Sequence, residues 1–216
     1  MSTGETYLTY LAAIRAGNRR EAFRVLDEAC AAGTHARALY MEVLQPALRE
    51  IGRLWQENEV SVAEEHLATA ITQSAMVRLF EEAVAEGKFG GPTLLAACAD
   101  VERHEIGLRM VCDLLELEGW DTIYLGATVP NESLVRMVRE RKPAAVALSV
   151  SLAPHLPRLR SMIQAVREGA GDDPPLILVG GRPFLDHPHL AVQLGADCTA
   201  SDALEAVRLL EERVAA

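Results

Sequence analysis

Lysine is nearly missing from this sequence: of 216 residues, only Lys88 and Lys142 carry an ammonium group. Carboxylates outnumber basic residues 31 to 21, for a formal net charge of -10. That balance excludes the polybasic patches on which nucleic-acid backbones and anionic membrane surfaces depend. No direct nucleic-acid or membrane partner is therefore expected. Cysteine is sparse and never paired as CxxC; Cys30, Cys98, Cys112 and Cys198 are widely spaced in apolar surroundings. Free, buried thiols are expected rather than disulfides or a zinc site. No basic stretch leads into an apolar one at the N-terminus, and no apolar run approaches membrane-spanning length. The expected setting is cytoplasmic. Aromatics are few, at 5%.

What is present is a large apolar fraction, 50% of residues, ample for one large domain or two small ones. Residues 5 to about 86 read as helices. Phe23, Leu26, Ala29 and Cys30 fall at helical spacing after Asn18. Tyr40, Val43, Leu44, Leu48, Ile51 and Trp55 mark a longer helix that Pro46 kinks. Ser61-x-x-Glu64 forms a capping box for a fourth helix, whose Ala63, His66, Leu67, Ala70, Ser74 and Val77 share one face. This predicts a four-helix bundle over residues 1–87, followed by a linker, Gly87-Lys-Phe-Gly-Gly-Pro92. From Thr93 the pattern alternates. Apolar strand runs at 93–99, 121–125, 144–149, 175–179 and 196–199 are separated by helices, one of them capped by Asn131 and ending before Pro143. The fold class is α/β, with a doubly wound, five-stranded parallel sheet of the Rossmann-like or flavodoxin-like kind over residues 93–216.

The chemistry concentrates in Asp100-Val-Glu102-Arg-His104-Glu-Ile-Gly107, which joins the first strand to its helix. It puts an imidazole at the carboxyl edge of the sheet, where open α/β folds bind ligands. His104 has one ring nitrogen for a metal, while Glu102 accepts from the other, fixing the tautomer and raising basicity. Gly107 allows close approach. After 41 intervening residues comes Ser149-Val-Ser151, and after 28 more Gly180-Gly181. Ser149 and Gly180 are ordinary strand-end and turn residues when taken singly; the joint spacing is what singles them out. His155, His187 and His189 have no partner at ligand spacing, and Pro154, Pro157 and Pro188 place them in surface loops.

This triple motif resembles the signature of the cobalamin-binding domain: Asp/Glu-x-His-x-x-Gly, then Ser-x-Leu/Thr/Ser, then Gly-Gly. The second element here is Ser-Val-Ser, not the commoner Ser-x-Leu. Tyr124–Asn131 and Leu194–Asp197 also look like this family's loops. The resemblance implies that His104 is the lower axial ligand of cobalt, replacing the cofactor's own dimethylbenzimidazole, whose tail inserts into the domain. Glu102 would hold the ring, with Asp100 a second carboxylate nearby. Ser149 or Ser151 would hydrogen-bond the buried tail, with Gly180 and Gly181 lying flat against it.

In the same family the helical bundle caps the corrin. Trp55, nine residues, then Glu65-His66 is similar to the motif of the photoreceptor group related to the CarH repressors. It implies that Trp55, Glu65 and His66 surround an adenosyl group. The resemblance therefore points to a stand-alone, light-responsive regulator that binds adenosylcobalamin. Cleavage of the cobalt–carbon bond would reposition the bundle, and the output would pass through a protein partner or self-association. Two features depart from that group: Gln56 stands where its members often carry a His, and the chain begins almost at the bundle, without a MerR-type DNA-binding module. Some stand-alone relatives also hold a bilin, so a second chromophore is a further implied cofactor. The rival expectation is a corrinoid methyl carrier serving a methyltransferase system. No hydrolytic or nucleophilic constellation is present, so no turnover is expected from this chain alone.

Overall fold

The structure is a computed structural model that describes residues 2–84 and 90–214. The chain divides into two compact units, Met1–Glu86 and Gly87–Ala216. Of the expected linker, residues 87–89 lie outside the described residues.

The first unit is helical: α1 (Thr3–Arg15), α2 (Arg19–Ala31), α3 (Ala36–Leu39), a π turn (Tyr40–Leu44), α4 (Gln45–Gln56) and α5 (Val62–Val84). The capping box expected at α5 is present. Ser61 N donates to Glu64 Oε2 at 2.8 Å, and Glu64 N donates to Ser61 Oγ at 3.3 Å. The irregularity expected at Pro46 takes the form of the π turn, in which Gln45 N–H donates to Tyr40 O five residues back. Pro46 has no N–H and its ring crowds the carbonyl of the preceding turn, so a wider turn relieves the clash.

The face read for α5 needs correction. Ala68, Ile71, Thr72, Ala75, Met76 and Leu79 are buried, whereas Ala63, His66, Leu67, Ala70 and Val77 are exposed. The large apolar side chains of α5 fall on both sides, so periodicity alone did not choose between them. The buried side also carries the polar contacts of the core: Tyr10 Oη donates to Thr72 Oγ1 at 3.0 Å and Tyr40 Oη to Met76 O at 3.0 Å. Burial drives the Tyr10 hydroxyl well above its ordinary range, so it stays a donor.

The second unit alternates β1 (Thr93–Cys98), α6 (Ile106–Leu117), β2 (Asp121–Gly126), α7 (Asn131–Arg141), β3 (Ala145–Ser149), a 3₁₀ turn (Ala153–His155) and α8 (Leu156–Gly169). β4 (Leu176–Gly180), α9 (Arg182–Asp186), α10 (Leu190–Leu194), β5 (Cys198–Ala200) and α11 (Ala203–Val214) complete it. The five strands form one parallel sheet in the order β2-β1-β3-β4-β5. β1 is buried from Leu94 to Cys98 and β3 throughout, as expected where helices cover both faces. One facing cluster packs Leu95, Val146, Leu148, Ile177 and Val179 against Leu134, Val138, Leu159, Met162, Ile163 and Val166.

Two details differ from expectation. β5 starts at Cys198, because Asp197 is spent on its neighbour: its side chain accepts from Ile177 N and from Arg167. Asn131 is the first residue of α7, not its cap; Pro130 holds the cap position, and Asn131 Nδ2 donates to Ser161 Oγ at 3.0 Å. Among the described residues, no helix is long and apolar enough to cross a membrane.

Candidate functional site

Parallel strands leave their loops at one edge, and the order of this sheet opens a crevice there. From β1 the chain runs outward to β2, then returns to β3 on the other side. Loops after β1 and β3 therefore diverge, which is the switch point where such folds take ligands. His104 and Ser151 lie on those two loops.

The first loop leaves Cys98 through a tight turn closed by Glu102 N donating to Ala99 O at 2.9 Å. Val101, at its third position, has φ +69°, a conformation that disfavours a β-branched residue. The turn buries Glu102 completely. Its Oε1 accepts from Arg103 N (2.9 Å), His104 N (3.0 Å) and His104 Nδ1. Its Oε2 accepts from Ser151 N (2.9 Å), Leu152 N (3.2 Å) and His155 Nδ1 (3.0 Å). One carboxylate thus joins the loop after β1 to the loop after β3. Burial by itself would raise the Glu102 carboxyl. The hydrogen bonds from the His104 ring and backbone, the Ser151 backbone and the His155 ring outweigh it and hold the group well below the usual carboxylate range.

An ionised carboxylate only accepts, so both imidazoles facing it must carry their proton on Nδ1. In the neutral ring the lone pair is then on Nε2. His104 is about half exposed, at 47%, while Glu102 beneath it is at 0%. A second carboxylate secures the third loop: Glu105 Oε2 accepts from Ala127 N at 3.1 Å, after β2. Arg109 braces the start of α6, donating through Nε to the buried Asp113 at 2.6 Å and lying 5.3 Å over the Tyr124 ring.

The structure brings Glu102, His104 and Ser151 together, with Ser149 at the end of β3, in register between Cys98 and Gly180. Asp100 sits in the turn, and Glu102 fills the place beside the His104 ring. The two glycines of the third motif differ. Gly181 has φ +111°, and a Cβ there would lie 1.9 Å from Val150 O, so the fold itself demands glycine. At Gly180 the nearest atom to a Cβ is Ala200 O at 4.0 Å, and at Gly107 there is none within 4 Å. His187 and His189 are exposed, as expected, edge to face at 5.8 Å. His155 corrects the sequence reading: it has a partner in Glu102, and its side chain is only 22% exposed. Its signal was positional, four residues past Ser151 on a loop at the same edge as His104.

In the helical unit, Trp55 lies near the end of α4, 36% exposed. Glu65 is on the first turn of α5, where its Oε1 accepts from Thr69 Oγ1 at 2.9 Å. His66 is next to it, 72% exposed, with Nε2 3.6 Å from Glu65 Oε2.

This site suits a large, flat, metal-bearing ring. It offers one imidazole with a fixed tautomer, exposed Val101 and Leu152 on the two joined loops, and glycines open to approach at positions 107 and 180. A B12 binding domain model matches residues 92–208, and a second model of the same description matches residues 9–80. Monomethylamine corrinoid protein 1 of Methanosarcina mazei is 26% identical over 191 residues, covering 86% of this chain and 87% of that protein. The HTH-type transcriptional repressor CarH of Myxococcus xanthus is 30% identical over 184 residues, covering 85% of this chain and 60% of the repressor. The structure of the Methanosarcina barkeri monomethylamine corrinoid protein superposes with a TM-score of 0.84 at 21% identity, over 97% of this chain and 98% of that one. The first model alone spans more than half of the sequence: the chain belongs to the B12-binding domain family.

Proposed function

We propose that this chain is a corrinoid carrier, holding cobalamin for transfer of a methyl group between partner proteins. The observation that carries the reading is the buried Glu102 carboxylate, which presents His104 at the sheet edge with Nδ1 protonated. Bound cobalamin supplies a cobalt centre able to accept and donate an alkyl group. His104 Nε2 would hold the cobalt, Glu102 would keep the ring aimed, and Ser149, Ser151, Gly107 and Gly180 would border the rest of the cofactor. Gly181 contributes by keeping the β4 loop against Val150. The similarity to monomethylamine corrinoid proteins along most of both chains supports a carrier over a regulator.

The light-responsive reading remains second, supported by the Trp55, Glu65 and His66 pattern and by the similarity to CarH. In it, the Trp55 indole would pack on an adenosyl group and Glu65 would accept from its ribose or adenine. Nothing among the described residues argues for the bilin.

Absorption spectra decide between the two. The chain is mixed in the dark with hydroxo-, methyl- or adenosylcobalamin and then exposed to green light. A carrier binds all three with His104 on cobalt and responds to light no more than the free cofactor does. Preference for the adenosyl form with a rapid, irreversible light-induced change would overturn the carrier in favour of the regulator. Failure to bind any of them would remove both.

A further inference from the structure

Glu105, the residue after His104, stands at the cap position of α6, yet its side chain makes no capping bond to that helix. Cap positions favour short side chains whose oxygen accepts from the helix's own amides. The longer Glu105 side chain reaches instead to the loop after β2, where its Oε2 accepts from Ala127 N at 3.1 Å. That loop departs from regular geometry. Ala96 pairs with Tyr124 but Ala97 with Gly126, which leaves Leu125 as an extra, bulged residue. Gly126 has φ +74°, and a Cβ there would lie 3.1 Å from Glu105 Oε2. Thr128 is exposed, with φ +55°, a conformation that disfavours a β-branched residue. Tyr124 Oη donates to Glu105 O at 3.5 Å, and burial holds that hydroxyl well above its ordinary range.

A helix start without its side-chain cap and a left-handed threonine both cost stability, and backbone strain persists only where its surroundings fix it. Both meet at one bond, from Ala127 N to Glu105. We infer that Glu105 is a positioning residue for His104: by holding the loop after β2, it fixes the backbone that carries the imidazole. The sheet order puts β2 on one side of β1 and β3 on the other. Glu102 thus anchors the His104 loop toward β3, and Glu105 anchors it toward β2. The inference rests on the reading of His104 as the cobalt ligand. Groups that orient a metal-binding imidazole typically change affinity by about 10- to 100-fold when lost. Glu102 still holds the ring after substitution of Glu105, so the lower end applies. Glu105→Leu removes the acceptor; Glu105→Gln keeps an amide oxygen that can accept from Ala127 N.

Two measurements test this. In the cofactor-free chain, NMR reads hydrogen exchange of the Ala127 and His104 amides and the tautomer of the His104 ring. With hydroxocobalamin, absorption reads affinity and whether imidazole is on cobalt. For Glu105→Leu we expect both amides to exchange about tenfold faster, with the ring tautomer unchanged because Glu102 sets it. Binding should weaken about tenfold, and the spectrum should shift toward the form without imidazole on cobalt. Glu105→Gln should stay within about threefold of the unaltered chain. The inference is overturned if Glu105→Leu leaves the His104 amide, the affinity and the spectrum as they were. It is equally overturned if both variants lose binding alike and melt alike at lower temperature, since Glu105 would then serve stability alone. If the unaltered chain takes up no cobalamin, the carrier reading fails, while exchange at His104 still decides whether Glu105 holds its loop.

Discussion

Glu102 gathers six hydrogen bonds from two loops, and its removal should be felt by fold and site together. Glu102→Gln sets an amide N–H against backbone donors, and we expect a loss of about 2–4 kcal/mol in urea unfolding. The pH dependence has a definite sign. The folded carboxyl lies below its unfolded value of about 4.3, so the native state binds fewer protons in that range. Its contribution is complete above about pH 4.5 and declines as the pH falls further. Unfolding series from about pH 6 down to about pH 3.5 should therefore show a steeper acid loss in the unaltered chain than in Glu102→Gln. The adjacent glycines make a second contrast. Gly181→Ala meets Val150 O at 1.9 Å and should cost about 3 kcal/mol or more. Gly180→Ala should leave the melting temperature nearly unchanged and show its effect in cobalamin affinity. Equal melting temperatures for the two variants would refute this division.

Among the elements, α5 shows where sequence reading succeeds and where it stops. Its capping box is a local signal, four residues long, and was legible. Its buried side was not, because Leu67 and Val77 on the exposed side are as apolar as Ile71 and Leu79 on the buried one. Ala75→Leu should overpack the bundle and cost about 1–3 kcal/mol. Ala70→Leu, on the exposed side, should be close to neutral in thermal unfolding. The parallel strands were legible as apolar runs bounded by turn residues, since both faces of the sheet are covered. His104 and Glu102 were legible for the same local reason, two residues apart on one loop. His155 was not, because 53 residues separate it from Glu102 and only the sheet topology brings them together.

Across the whole molecule, the four cysteines form no disulfide with one another, with Cys98, Cys112 and Cys198 buried and Cys30 half-buried. Burial pushes the Cys98 thiol up to about 12, with the nearby Glu105 and Glu102 charges adding to it. Burial likewise raises Cys112 and Cys198. With an aromatic disulfide reagent at about pH 8, one thiol per chain should react promptly and the other three only after denaturation. Prompt reaction of two or more would contradict the described packing.

The joining of two loops through Glu102 also bears on the order in which the chain folds. The backbone hydrogen bonds of the helices link residues about four apart in sequence, and such local contacts form early. The partners of Glu102 beyond its own loop lie 49 to 53 residues away, with α6, β2, α7 and β3 between them. The carboxylate is therefore satisfied only after β3 has docked beside β1. The surface proposed to hold the cofactor should be among the last parts of the chain to mature. In a refolding experiment, helical signal should recover first, and competence to take up cobalamin should appear with the final, slower phase.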